Sequence, residues 1–93
     1  MDSILQDEKE CIVCGTCRNL HKHHIYFGAN RKVSENNGFW CWLCGHHHNQ
    51  SNDGVHCKNG HNLDIHLKKL CQREYEKTHT RQEFMALIGR NFL

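Results

Sequence analysis

Two metal-knuckle patterns set the limits on what this chain can fold into. Cys11-x-x-Cys14 is followed at once by Gly15, and Cys44-x-x-His47 begins thirty residues after Cys14 (44 − 14 = 30). Each pattern is a tight turn that can present two ligands to one ion, and two such turns together make a closed tetrahedral Cys3His site. In small zinc domains a site of this kind contributes on the order of 10–16 kcal/mol. That equals or exceeds the roughly 5–15 kcal/mol by which an ordinary domain is stable at all. A chain of 93 residues builds one modest core and commonly needs such a staple. The spacing predicts a fold organised by a structural Zn2+ on Cys11, Cys14, Cys44 and His47. Cys14-x-x-Cys17 is a competing knuckle, and Cys41 a competing ligand at the other end. Gly15 favours the first pair, because glycine suits the turn that closes a knuckle.

Seven cysteines and ten histidines make soft metal ligands unusually frequent. An odd number of thiols leaves one unpaired in any full disulfide framework. The first ten residues are acidic and lack the apolar stretch of a secretory signal, and no run reaches the length of a membrane span. These features predict a reduced, cytoplasmic protein whose cysteines partly bind metal. Cys17, Cys41, Cys57 and Cys71 then read as small buried apolar residues or exposed thiols. A net charge of +2 is no basic footprint in itself. Its distribution is more informative, because Glu35 is the sole acidic residue between Cys11 and Asn52, a stretch that carries Lys22, Arg31 and Lys32.

The pattern along the chain predicts an α+β domain. Residues 1–10 read as a polar tail and residues 11–93 as one domain, with a metal-bound core over 11–61 and helices over 62–93. His24–Phe27 is a short β-prone run, Gly28–Lys32 breaks it, and Ser34–Gly38 is rich in turn formers. Phe39–Cys44, aromatic and apolar, is the best strand, so the two runs form a long-looped hairpin. Cys44–Asn49 opens a helix or a second knuckle, and 50–60 reads as loop. Leu63, Leu67, Leu70 and Tyr75 recur at helical spacing, giving a helix over about 62–77 with Asn62 as its cap. Thr80-Arg-Gln-Glu83 has the form of a capping box. Phe84, Leu87 and Ile88 make one face of a last helix that Gly89 ends.

A second cluster lies between the knuckles. His23-His24 precedes the first strand run, and His48 follows the zinc ligand His47. One ion held by both knuckles draws the adjoining segments together, which brings His23, His24 and His48 to one side of the hairpin. The sequence Cys11-x-x-Cys14-Gly15 … His21-Lys22-His23-His24-Ile25 … Leu43-Cys44-x-x-His47-His48-Asn49 resembles the HNH endonuclease family. It is similar in particular to small HNH proteins of bacteriophages and prophages. That likeness extends through Gly28-x-Asn30-Arg31-Lys32-x-Ser34-Glu35, Gly54-Val55-His56 and Gly89-Arg90-Asn91-Phe92-Leu93, about residues 11 to 93 in all.

The resemblance implies a ββα-metal fold with one catalytic divalent ion: Mg2+ or Mn2+, or Zn2+ or Ni2+ given imidazole ligands. It implies His23 and His48 as ligands of that ion, His56 as a candidate third ligand, and His24 as general base. The family's middle Asn falls about nine residues before the final motif His, which here is Phe39. Asn37 is the candidate replacement, tying the hairpin loop with its side-chain amide. The implied activity is metal-dependent hydrolysis of DNA phosphodiesters with low sequence specificity, leaving 5′ phosphate and 3′ hydroxyl ends. Lys22, Arg31 and Lys32 are candidate phosphate contacts on double-stranded DNA. The alternatives are a zinc-stapled DNA-binding module without catalysis, and a phage packaging or recombination accessory nuclease active only with its partner. The implied setting is the cytoplasm of a bacterial host.

Overall fold

A computed structural model describes residues 1–93. It is a small α+β fold in which one two-stranded hairpin carries helices on one side. Strand β1 spans Leu20–His24 and strand β2 spans Trp40–Cys44. They pair antiparallel, from Leu20 opposite Cys44 to His24 opposite Trp40. Because side chains alternate across a strand, His21 and His23 share a face with Leu43 and Cys41, and this face looks into the core. Lys22 and His24 share the other face with Trp42 and Trp40. Helix α1 is Arg31–Asn37, α2 is the single turn Gly45–His48, α3 is His61–Tyr75 and α4 is Arg81–Ile88. No helix is long and apolar enough to cross a membrane.

The first strand lies earlier than the β-prone run His24–Phe27 suggests. Ile25 and Tyr26 are buried at the end of the hairpin, and Ile25 retains one ladder-like bond, its N–H donating to Phe39 O at 2.9 Å. Tyr26 instead meets a side chain. Ser34 Oγ accepts from Tyr26 N at 3.2 Å and donates to Tyr26 O at 2.6 Å. The connection between the strands is correspondingly more ordered than its turn-forming composition implies. A 3-10 turn over Gly28–Asn30 leads into α1, which stops at Gly38.

Residues 1–10 are not a free tail. Ile4 N donates to Gly38 O at 2.9 Å, Ser3 Oγ donates to Trp40 O, and Gln6 Oε1 accepts from Trp42 N at 2.8 Å. Ile4 and Leu5 pack on the core. The segment is polar in composition because it covers the open edge of β2 with hydrogen bonds and only two apolar side chains.

The core is an aromatic cluster between the hairpin and the last two helices. Phe39 and Phe84 are fully buried, with Tyr26 5.5 Å and 5.4 Å from them, ring centre to ring centre, and Tyr75 5.3 Å from Phe39. Offset and edge-on aromatic contacts of this kind add to the burial term. The Tyr26 hydroxyl donates to Lys68 O at 2.7 Å, which fastens α3 to the hairpin. The expected helix over 62–77 appears as α3, capped by Gly60 rather than Asn62, which lies in its first turn. The capping box is present at α4, where Thr80 Oγ1 accepts from Glu83 N at 3.1 Å and Thr80 N donates to Glu83 Oε1 at 3.0 Å.

Ser34→Ala removes both side-chain bonds to buried Tyr26 backbone groups. Leaving such groups unpaired costs about 2 kcal/mol, or a fall of roughly 10 °C in Tm for a domain of this size. A calorimetric Tm within a degree or two of wild type would show that Ser34 does not hold the loop.

Candidate functional site

The structure gathers Cys11, Cys14, Cys44 and His47, whose ligand atoms all lie within 4.8 Å of one another. The first pair sits on a closed turn. Gly15 N donates to Cys11 O at 2.8 Å, Cys11 N donates to Thr16 O at 2.8 Å, and Gly15 takes a φ of 76°, which a side chain would strain. Ile12 N donates to Trp42 O at 2.9 Å, so this knuckle lies against β2 two residues before Cys44. Helix α2 begins immediately after Cys44, and one turn of it returns His47 to the thiol.

The donor set fits a four-coordinate ion. With metal–sulfur bonds of about 2.3 Å and metal–nitrogen bonds of about 2.0–2.1 Å, a tetrahedron has edges of roughly 3.8 Å between sulfurs and roughly 3.5 Å between sulfur and nitrogen. Cys14 Sγ and Cys44 Sγ are 3.8 Å apart, and His47 Nδ1 lies 3.8 Å from Cys11 Sγ and 3.2 Å from Cys44 Sγ. The four residues could hold a structural metal such as zinc. Burial opposes ionisation of the Cys11 thiol, but the amides of Cys44, Cys14 and Val13 together outweigh it and bring the thiol down to about 6. A thiolate is the ligating form. Cys17 and Cys41 both stay outside this group. Cys17 is exposed and Cys41 is buried in the core, where desolvation pushes its thiol up to about 12. Cys71 is likewise buried and Cys57 half-buried.

A second group comprises His23, His48 and His56, again with ligand atoms within 4.8 Å. His23 comes from the core-facing side of β1 and His48 from the end of α2. His56 is brought in by the loop after α2, where Val55 N donates to His47 O at 2.8 Å and His56 N donates to His48 O at 3.2 Å. That loop closes on itself so tightly that a side chain at Gly60 would collide with Gly54 O. The three ring centres form a near-equilateral triangle, 5.5, 5.0 and 4.9 Å on its sides. His23 is 1% exposed, and its Nε2 is buried with no hydrogen-bond partner. A buried polar atom without a partner is uncommon and costly, and the ring that carries it packs against two other imidazoles. Burial is the main cause holding His23 neutral down to about 3, reinforced by His56, His48, His24 and Lys68. Burial also leads for His48, followed by His56 and His21, and brings it down to about 4. Neutral imidazole is the form that binds a metal. His21 Nδ1 lies 2.9 Å from His48 Nδ1. This contact fixes the His48 ring, as partners of ligating histidines commonly do.

His24 ends β1 on the other face, and its ring reaches the same cleft. Lys22, His23, His24, Phe27, Arg31, His48 and His56 line this cavity of about 210 Å3. His24 Nε2 is 2.6 Å from Glu35 Oε2, and Lys22 Nζ is 2.9 Å from Glu35 Oε1. Hydrogen bonds from Lys22 first, then His24, hold the Glu35 carboxyl down at about 2. Asn37 has no part in this arrangement. It ends α1 and donates from Nδ2 to Val33 O at 2.8 Å, a bond within its own helix. Phe39, at the place of the resembled family's middle Asn, is a core residue. The two jobs sought for Asn37 are divided: Ser34 ties the loop and Glu35 holds His24. Of the candidate phosphate contacts, Lys22 and Arg31 line the cleft, whereas Lys32 is exposed on α1 outside it.

Ser34, Glu35 and His21 are the site residues that pattern reading passes over. All three stand within the stretches that carry the resemblance, but without a role, and Glu35 is marked further as the one acidic residue in an otherwise positive stretch. Comparison of the chain with models of protein families, with curated proteins and with solved structures gave no match.

Chelation that strips the Cys3His site, or Cys44→Ser, is expected to abolish the cooperative thermal transition, because the lost metal contribution is on the order of the whole net stability. Calorimetry would detect this, and an unchanged transition after chelation would remove the structural role. A pH effect follows from His23. Its folded-state pKa of about 3 lies below the ordinary 6.5, so the unfolded chain takes up this proton first. The contribution is complete above pH 6.5 and is lost as pH falls from there towards 3. The urea midpoint is expected to fall more steeply below pH 6.5 in wild type than in His23→Gln. Equal slopes would mean that His23 is not a buried neutral imidazole.

Proposed function

We propose that this chain is a metal-dependent nuclease of the HNH type that hydrolyses DNA phosphodiesters, stapled by a structural Zn2+ on Cys11, Cys14, Cys44 and His47. The observation that carries the reading is one juxtaposition. His24, held through Nε2 by Glu35, opens into the same cleft as the triad His23, His48 and His56. A binding module has no use for a histidine oriented by a carboxylate beside three clustered imidazoles.

The division of labour follows from the atoms. With Glu35 accepting from Nε2–H, the Nδ1 of His24 keeps its lone pair and can serve as a base. It takes a proton from the attacking water, and the imidazolium that results is stabilised by the Glu35 carboxylate. Lys22 keeps Glu35 in place and ionised. Arg31 offers its guanidinium to a phosphate oxygen, and no carboxylate competes for it among the ion pairs of the fold. His23, His48 and His56 would hold a divalent cation, which would supply Lewis-acid charge neutralisation for the reacting phosphate. The imidazole donor set favours Zn2+, Ni2+ or Mn2+ over Mg2+. DNA is the expected partner, bound through its phosphates with marked salt dependence.

Plasmid nicking with Mg2+, Mn2+, Ni2+ or Zn2+ tests the reading. His24→Ala is expected to slow nicking by about 10^2- to 10^4-fold while leaving metal binding, read by native mass spectrometry, unchanged. Glu35→Gln keeps the shape but loses the charge behind His24, and a loss of roughly tenfold is expected. Nicking by His24→Ala at the wild-type rate, or no nicking by wild type with any of the four ions, would leave a zinc-stapled binding module instead.

A further inference from the structure

The ending Gly89-Arg90-Asn91-Phe92-Leu93 takes no part in either metal group, yet the fold fixes it firmly. Gln72 on α3 is fully buried and satisfied on every side. Its Nε2 donates to Asn91 Oδ1 at 2.7 Å and to Glu76 Oε2 at 2.6 Å, and its Oε1 accepts from Phe92 N at 2.8 Å. Asn30 Nδ2 donates to Ile88 O at 3.1 Å, which ties the turn before α1 to the end of α4. These bonds hold open a cavity of about 300 Å3 whose walls include Phe27, Asn30, Lys68, Arg90 and Phe92. Its size is at the lower end of small-molecule sites, about 300–1,000 Å3.

The chemistry of the walls is specific. Phe27 is 42% exposed, unusual for a large apolar side chain in so small a domain. The same residue lines the three-histidine cleft, with its ring centre 5.0 Å from His56. Lys68 Nζ stands 4.2 Å from the Phe27 ring centre, and the Arg90 guanidinium stands 4.7 Å from that of Phe92. Lys68 is paired with Asp64 at 2.9 Å, whereas Arg90 has no carboxylate partner. Aromatic faces with cations beside them suit a nucleobase joined to a phosphate.

We propose that this second cavity is a nucleotide subsite, which seats the nucleotide next to the scissile phosphate with its base against Phe27 and its phosphate on Arg90. The proposal rests on the nuclease reading for the direction of the strand. Phe27 is the one residue that lines both cavities, so a strand with one phosphate at His23, His48 and His56 runs its neighbour into the second. A base can lie on an aromatic ring only when it leaves its own stack. The substrate class is therefore DNA with an unstacked nucleotide beside the cut: single strands, flaps, frayed ends or junctions, in preference to uninterrupted duplex.

The test uses the full chain with its structural metal and a short single-stranded oligonucleotide carrying 2-aminopurine, whose fluorescence is quenched by stacking. The His24→Ala chain is used for binding so that the probe is not cut, and nicking is followed in parallel with His24 intact. Quenching on binding is expected, with tighter binding of the single strand than of the matching duplex. Arg90→Ala is expected to weaken binding about tenfold and to lower the salt slope by about one. Phe27→Leu is expected to remove the quench with Tm unchanged, since both side chains are exposed. If wild type nicks DNA but neither variant differs from it in binding, quench or preference, the subsite is wrong and the nuclease reading stands. Quenching that depends on Arg90 in a chain that never nicks would keep the subsite and remove the nuclease. Deoxynucleoside monophosphates that bind as tightly as the strand would make the cavity a free-nucleotide site and overturn the proposal, as would a wild-type chain that binds no DNA.

Discussion

The convergence of Cys11 and Cys14 with Cys44 and His47 is the constraint on which the rest of the molecule depends. Helix α2 is only four residues long, and a single turn of helix is unstable by itself, since nucleation costs more than one turn returns. An ion on Cys44 and His47 would fix that turn from inside. His48 is the next residue, so whatever orients His47 also aims His48, and the loop bonds to the carbonyls of His47 and His48 carry the order on to His56. One coordination sphere would thus position two of the three histidines of the other group. The third, His23, is placed by register, because its partner Cys41 lies three residues before Cys44 on the same strand.

Energetically the two groups are opposites. In the Cys3His group the amides around Cys11 make its thiol easier to ionise, so the ligands are prepared for a cation that strengthens the fold. In the three-histidine group, burial and mutual proximity keep His23 and His48 neutral and leave His23 Nε2 without a hydrogen bond. Such a site weakens the fold that contains it, a common cost of groups arranged for function. The hairpin tolerates it because the staple and the aromatic cluster of Tyr26, Phe39, Tyr75 and Phe84 stabilise the structure on both sides.

Much of this was legible in the chain. The knuckles, the best strand, the two last helices and the capping box are local matters, readable from spacing and residue type. The loop between the strands was not. Ser34-Glu35-Asn36-Asn37-Gly38 has the composition of turns, but Val33 and Ser34 face the core and α1 forms around them. Asn37 was sought as the loop's anchor because its amide resembles the family's. It is used up within α1, while Ser34, a smaller side chain, fits between the backbone groups of Tyr26. The N-terminal ten residues misled in the same way: their polarity serves hydrogen bonds to β2 rather than solvent.

What the sequence determined by itself was which atoms could be ligands and how the chain turns around each pair, because knuckle geometry is set within four residues. His23 and His24, expected together on one side of the hairpin, fall on opposite faces because β1 begins at Leu20 and side chains alternate along it. Only the tertiary structure decided that Cys17 and Cys41 stand aside and that His21 backs His48. It likewise decided that Glu35, eleven residues from His24 in sequence, reaches its Nε2. Those outcomes depend on which segments the core brings within hydrogen-bonding distance, and no local pattern encodes that distance.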